Sequence, residues 1–266
     1  MTEIGQTVFF EGIVSVRTAI YNMERRAEDG SYFNDRRIVK VFVDEKRAAR
    51  EKKELAWLGH RAEELGFSVE ITDGSFFDEN TSGRNHGGIA AAVTERTLPR
   101  MRRADVPENG YAVMLEGIED PFNLGFALRS LYAAGAERVI LPRHNAMCSG
   151  GVVARSSAGA SELMPICISD AATVAATAKE CGVYVVCADE RGEPVGDAEL
   201  KFPLLLVIGG EKRGISSSVT ESADALVRIV YGRGFGASLS AASAAAVLGF
   251  EMLKKRDAAS AAGQNR

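Results

Sequence analysis

From Tyr111 onward, short apolar runs alternate with helix-like stretches, and this alternation restricts the fold more than any other feature of the chain. "YAVMLEGI", "RVILP", "VYVVCAD", "LLLVIGG" and "LVRIV" read as strands. "LGFALRSLYAAG" and "DAATVAATAKECG" lie between them and read as helices. Strands joined through helices run parallel, because a parallel connection needs a long crossover. Such a sheet is covered by helices on both faces. The unbroken apolar run Leu204–Ile208 fits a strand buried on both sides.

The preceding residues form a second, smaller α/β pattern. In "VSVRTAIYNMERRAE" the positions Val14, Val16, Ile20 and Met23 share one helical face, with Arg17, Arg25 and Arg26 opposite. "IVKVFVDE" is a β-branched strand. "KRAAREKKELAWLGHRAEELG" predicts one long amphipathic helix stopped at Gly66. "FSVEIT" and "IAAAVTE" complete the strands, with "TSGRNHGG" as a polar turn between them. The reading therefore places one domain over 1–96 and a larger one over 110–266. Residues 97–109, with Pro99 and Pro107 and without hydrophobic period, make the linker.

Composition narrows the functional classes. Over 266 residues the net charge is −4, so RNA or DNA contacts must come from local patches. Four cysteines (Cys148, Cys167, Cys181, Cys187) lack paired spacing and the three histidines are far apart, so no metal site is expected. No basic flank precedes an apolar run at the start, and no stretch approaches a membrane span. A soluble cytoplasmic protein is expected.

In parallel α/β sheets, ligands gather beyond the carboxyl ends of strands. Three strand ends here carry unusual residues. "EDPFNLGFALRS" holds the turn formers Asp120, Pro121 and Asn123, with Arg129 six residues beyond Asn123. Taken alone it is a capped helix with a solvated arginine. "VIGGEKRGIS" runs a strand into Gly209 and Gly210, then Glu211, then Gly214. No G-K-[ST] follows, and a carboxylate there would repel phosphate. "YGRGFGASLSAAS" spaces Gly232, Gly234 and Gly236 before Ser238, Leu239 and Ser240. It comes too late for a dinucleotide fold, since no further β–α–β unit fits in the remaining chain. Taken alone it is the entry to a tightly packed terminal helix, or to a helix at a subunit interface.

In this order the three stretches resemble the SpoU (TrmH-type) family of SPOUT RNA methyltransferases. Asn123, Gly125 and Arg129 match that family's first motif, Gly209, Glu211 and Gly214 its second, and Gly234, Ser238 and Leu239 part of its third. "SSAGASELMP" is similar to an intermediate Ser-x-Gly-Ala stretch. "NHGGIAA" resembles the ending of the family's small ribosomal-protein-like RNA-binding domain, with Gly87 where Gln is usual. The resemblance implies methyl transfer from S-adenosylmethionine to an RNA ribose 2′-hydroxyl, a C-terminal parallel-sheet SPOUT domain with a deep trefoil knot, and a homodimer with shared sites. It implies Arg129, Asn123, Glu211 and Ser238 as catalytic residues. The cofactor falls to Gly209, Gly210, Gly214, Val230, Gly232, Gly234 and Leu239. RNA binding falls to Arg17, Arg25, Arg26, Arg36, Arg37, Arg102 and Arg103, joined by Lys40 and Arg100.

Two departures mark the third motif: Tyr231-Gly232 stands where Pro-Met is usual, and Ser240 where Asn is usual. They leave open a second reading, a weakly active or inactive RNA-binding member of the same fold. The extra domain favours ribosomal RNA over the alternative of transfer RNA. A conventional nucleotide-dependent enzyme is disfavoured by the late loop and the missing phosphate motif.

Overall fold

The computed structural model describes residues 7–29, 34–81, 86–143, 149–211, 213–234 and 236–264. The chain forms two compact units, one of residues 1–97 and 149–163, the other of 98–148 and 164–266.

The first unit contains β1 (Thr7–Glu11), α1 (Ile13–Asp29), β2 (Ile38–Asp44), α2 (Glu45–Arg50), α3 (Lys52–Leu65), β3 (Ser68–Thr72), α4 (Gly74–Asn80) and β4 (Ile89–Thr94). The sheet order is β1-β4-β2-β3. β4 lies antiparallel to both β1 and β2, while β3 joins β2 in parallel. Alternate residues Val41 and Val43 of β2 enter the core with Phe10, Ile20, Leu58, Ile89 and Val93, as period-two patterning requires. The strand β1 and the helix α4 were not apparent in the sequence. Part of the expected "TSGRNHGG" turn, residues 82–85, lies outside the described residues.

Two expectations are corrected here. The single long helix is two, interrupted at Glu51, whose backbone is non-helical at φ −102°, ψ 52°. Ala48 of α2 and Leu58 and Ala62 of α3 enter the same core. The apolar period therefore continues across the break and hides it. The ion pair from Arg47 to Glu54, 2.7 Å, bridges the interruption.

The domain boundary also differs. Residues 149–163, expected within the larger domain, belong to the first unit. They form α6 (Gly150–Ser156) and α7 (Ala160–Leu163). At Gly151 a Cβ would run into the Phe9 carbonyl, so close backbone approach demands glycine there. Ala154 enters the core, and Arg155 pairs with Glu11 at 2.6 Å. Glu162, fully buried, receives Arg36 Nε at 3.0 Å, Asn34 Nδ2 at 3.1 Å and Ser161 Oγ at 3.2 Å. Arg96 donates to the Ser161 carbonyl, and burial beside Arg36 pulls its guanidinium down to about 10.

The second unit contains β5 (Tyr111–Glu116), α5 (Pro121–Ala133), β6 (Arg138–Leu141), β7 (Ile166–Ile168), α8 (Ala171–Glu180), β8 (Tyr184–Pro194), β9 (Leu204–Gly209), α9 (Ser217–Ser222), β10 (Ala225–Arg228) and α10 (Ala241–Gln264). All six strands are parallel, in the order β10-β8-β9-β5-β6-β7. The parallel α/β architecture matches the expectation. Asp120 and Asp170 cap α5 and α8 by accepting backbone N–H bonds of 2.8 Å. α10 packs on α5, where the buried Tyr111 hydroxyl lies 2.9 Å from the Ala134 carbonyl and 3.1 Å from that of Gly249.

The expected linker is ordered within this unit from Leu98. Ile168 N–H donates to Pro99 O at 2.9 Å, and Met101 N–H donates to Ile168 O at 3.0 Å. A single helical turn follows at Arg103–Asp105. There the buried Asp105 carboxylate accepts from Arg102 N–H at 2.8 Å and pairs with Arg138 at 3.2 Å. A buried carboxylate with two such partners fixes the segment.

Candidate active site

From β5 the chain moves outward to β6 and β7, and from β9 it moves the opposite way, to β10. The carboxyl ends of these neighbouring strands thus form a topological switch point, where crevices open in such sheets. Two backbones meet there. A Cβ on Gly210 would collide with the Gly117 carbonyl, and one on Gly209 with the Gly214 backbone. Gly214 N–H donates to Gly210 O at 3.0 Å and closes the loop. Glu116 Oε2 accepts from Ser216 N–H at 3.3 Å. Packing alone therefore requires Gly209 and Gly210 to be glycine.

Glu211 stands at the tip of this closed loop. Its Oε1 accepts from Asn123 Nδ2 at 3.2 Å and from the Ala241 backbone N–H at 3.3 Å. One carboxylate oxygen thereby joins three loops: the start of α5, the loop after β9 and the start of α10. The negative charge suits the first turn of a helix, where backbone N–H groups lack partners.

The third loop is held at its ends and open between them. The Tyr231 hydroxyl accepts from Leu239 N–H at 3.0 Å. Ser240 caps α10, its Oγ accepting from Ser243 N–H at 3.2 Å and its carbonyl accepting from Ala244 N–H at 2.9 Å. Cβ atoms on Gly232, Gly234 or Gly236 would meet nothing within 4 Å. These glycines border open space, unlike Gly209 and Gly210 of the second loop.

The space is a cleft of about 1300 Å³. Of the expected residues, Gly209, Gly210, Glu211, Gly214, Val230, Gly234, Ser238 and Leu239 line it. Gly232, Asn123 and Arg129 do not, although Asn123 reaches it through Glu211. Arg129 is exposed on α5, on the stripe of Phe122 and Phe126. Sequence reading missed the opposite wall, made by Asp189, Glu190, Arg191 and Arg228. The charged run "DERGE" directly after the apolar "VYVVCA" was the available signal. The bidentate Arg191 guanidinium, 2.8 Å through both nitrogens, holds the Asp189 carboxyl below its usual range.

The expected RNA-binding cations divide. Arg36 is buried and locked on Glu162, so its side chain is not presented at the surface. It was misjudged because its partner lies 126 residues away. Arg17 is exposed and sits over the Trp57 ring at 5.4 Å. Arg25 is half-buried and Arg37 exposed, while the Arg26 side chain lies outside the described residues. Lys40 pairs with Glu70 at 2.7 Å. In the second unit Arg102 and Arg103 are exposed, on Asp105 and Glu180 respectively. No described helix is long and apolar enough to cross a membrane. The described residues hold no cluster of three metal-ligating side chains.

The model of the SpoU rRNA methylase family matches residues 110–250, the stretch that builds the switch point and all three loops. The chain belongs to the SpoU family. A second model, described as RNA 2′-O ribose methyltransferase substrate binding, matches residues 33–99. The 23S rRNA (guanosine-2′-O-)-methyltransferase RlmB of Shewanella oneidensis is 31% identical over 216 residues, covering 78% of this chain and 86% of that one. A putative TrmH family tRNA/rRNA methyltransferase of Bacillus subtilis, YacO, is 29% identical, covering 84% and 91%. Among solved structures, an RNA 2′-O ribose methyltransferase superposes with a TM-score of 0.75 at 24% identity, over 94% of this chain and 89% of that one. The AdoMet-bound rRNA methyltransferase of Sinorhizobium meliloti gives 0.74 at 20% identity, over 93% and 87%. These SpoU structures share the fold of both units.

Proposed function

We propose that this SpoU-family chain methylates a ribose 2′-hydroxyl of ribosomal RNA with S-adenosylmethionine as donor, in the cytoplasm. The observation that carries the reading is Glu211, one carboxylate holding all three motif loops together beside a cleft. The residues present fit the cofactor. Apolar walls from Ile208, Ile215 and Leu239 suit an adenosine, and open space beside Gly234 and Gly236 gives access to backbone groups. When bound, S-adenosylmethionine supplies an activated methyl group.

The chain must orient the hydroxyl and handle its proton. We assign Arg129 to the reacting nucleotide, where it holds the neighbouring phosphate; an arginine keeps its own proton at neutral pH and is poorly suited as a base. Asn123, fixed by Glu211 and by the Asp120 cap, sets the start of the helix that carries Arg129. Gly209, Gly210, Gly214, Val230, Gly232, Gly234 and Leu239 are assigned to the cofactor, and Ser238 to the site's rim. The cap formed by Ser240 favours an active enzyme over an inactive relative, since the changed residue keeps the helix start in order.

We also assign a homodimer to this chain. Phe122, Phe126, Tyr132, Val247 and Phe250 are large apolar residues left exposed on α5 and α10. Such a patch marks an interface, and Arg129 on the same stripe would enter a shared site. The family's trefoil knot is assigned from the SpoU family match alone, with the late loop and α10 as the threaded segment.

The test is Arg129→Ala, assayed by transfer of labelled methyl groups to a 23S rRNA transcript. Activity is expected to fall roughly 100-fold or more, as for loss of a group acting at the reacting atoms, with an unchanged melting temperature. Wild-type activity in that variant overturns the assignment.

A further inference from the structure

Residues His86 to Gly88 take no part in the cleft, and in the first unit they border a concavity of their own. The space, about 340 Å³, is lined by Asp44, Lys46, Arg47, Arg50, His86 and the two glycines that follow. His86 and Arg47 are held in place. The His86 ring stacks on the buried Phe77, with centroids 4.6 Å apart and planes 4° from parallel. His86 Nδ1 accepts from Gly88 N–H at 3.0 Å, which leaves the ring proton on Nε2 as a donor. Arg47 is held by Glu54 at 2.8 Å and by Gly87 O at 2.6 Å.

The charge balance in the wall is positive. Among the described residues Asp44 is the only carboxylate of the wall, and one oxygen of it already accepts from the backbone N–H groups of Lys46 and Arg47. Lys46 and Arg50, four residues apart on α2, are both exposed and share one helical face. Arg50 touches Glu51 through Nε at 2.9 Å; a surface pair of this kind is weak and readily exchanged. Of the other acids, Glu54 is engaged by Arg47, and Glu45, exposed in the first turn of α2, does not line the space.

We propose that this concavity is a phosphate subsite for the RNA backbone, with Lys46 and Arg50 as mobile cations and His86 as a fixed donor. The proposal rests on the reading that the first unit binds RNA. It moves the contact from the α1 arginines to α2 and the His86 loop. Contacts of this type position RNA without reading its sequence.

The test is the double variant Lys46→Ala/Arg50→Ala, bound to a 23S rRNA transcript over a range of KCl concentrations. Affinity is expected to fall about 10-fold, and the slope of log K against log salt to shrink by about 1 to 2, the value for two lost phosphate contacts. Affinity for S-adenosylmethionine and the melting temperature stay unchanged. His86→Phe, which keeps a ring to stack on Phe77 but carries no donor, is expected to weaken RNA binding about 3-fold, a fraction of one charged contact. An unchanged affinity and slope in the double variant overturns the proposal. Erasure of the wild-type/variant difference by excess inorganic phosphate at matched ionic strength supports it, because free phosphate then competes with the RNA backbone for the same subsite. Failure of the wild-type chain to bind RNA at all instead sinks the underlying reading.

Discussion

Replacing Glu162 with Ala tests the first unit where its electrostatics are most exposed to damage. The carboxylate is buried and accepts from Arg36, Asn34 and Ser161, with Arg36 itself only 4% exposed. Its removal leaves the Arg36 guanidinium without a counter-charge, held by the Thr94 carbonyl at 2.8 Å, and takes a stabilising negative charge from Arg96, whose guanidinium is already depressed to about 10 by burial. Breaking a buried pair from one side costs about 3–5 kcal/mol, because the remaining charge stays desolvated. A domain of this size is stabilised by about 5–15 kcal/mol in total, so most of the margin is at stake. The chain's one tryptophan, Trp57, lies in α3 of the same unit. Urea unfolding followed by its fluorescence therefore reports on this unit. With a urea m-value of about 2 kcal/mol/M, the midpoint is expected to drop by about 1.5–2.5 M. Glu162→Gln, which keeps an acceptor oxygen but no charge, should fall between the two. A midpoint shift below about 0.5 M for the alanine variant, equivalent to about 1 kcal/mol, would refute the buried-pair argument.

Three further outcomes follow from the second unit. Glu211→Ala removes the acceptor for Asn123 and Ala241, two exposed bonds together worth about 1–2 kcal/mol; kcat/KM for methyl transfer should fall roughly tenfold, while Glu211→Gln keeps most activity. Equal activity in both variants would remove Glu211 from its linking role. Tyr231→Phe deletes the bond that pins Leu239 across three glycines, so the Kd for S-adenosylmethionine measured by calorimetry should weaken by about 2- to 10-fold. Tighter binding would mean that the hydroxyl competes with the ligand for that N–H. Burial pushes the Cys167 and Cys187 thiols up to about 11 and about 12. Iodoacetamide at pH 8 should therefore leave both unlabelled until the chain is unfolded, as peptide mapping will read, since the thiolate is the reactive form. Rapid labelling of either in the folded protein contradicts their burial.

The parallel sheet was legible because its main strands are long apolar runs separated by helical ones, a pattern set locally. β7 was missed because three residues after Pro165 carry no period. β1 was missed because "TVFFE" precedes the first helical pattern and was read only for what it lacked, a leader's basic flank. The residues that the structure gathers around the cleft were legible wherever one strand end carried them, as at Asn123, Glu211 and Leu239. The joining of those ends was not. Strand order follows from crossovers, and no local spacing says that the Asn123 amide and the Ala241 N–H share one oxygen 88 and 30 residues from them. Glycine roles were also hidden. Gly209 and Gly210 are demanded by backbone contact, whereas Gly232, Gly234 and Gly236 face open space, and the letters alone do not separate the two.

The segment 149–163 carries the largest consequence for reading domains from sequence. The first unit draws Ala154, Arg155 and Glu162 from residues that follow β6, so its core and the ion pairs Arg36–Glu162 and Arg155–Glu11 are assembled from two distant pieces. The chain accordingly passes between the units three times, after 97, after 148 and after 163. A contiguous reading from 1 to 96 leaves Glu11 and Arg36 as charges in the interior of an incomplete fold, each lacking its partner, which is the costly arrangement. The same fact explains the misjudged Arg36. In the contiguous reading it is an arginine before a strand and belongs on the surface. Only the return of the chain with Glu162 makes burial affordable. A buried cation in the smaller unit is thus itself a sign that the unit is closed by residues from elsewhere in the chain.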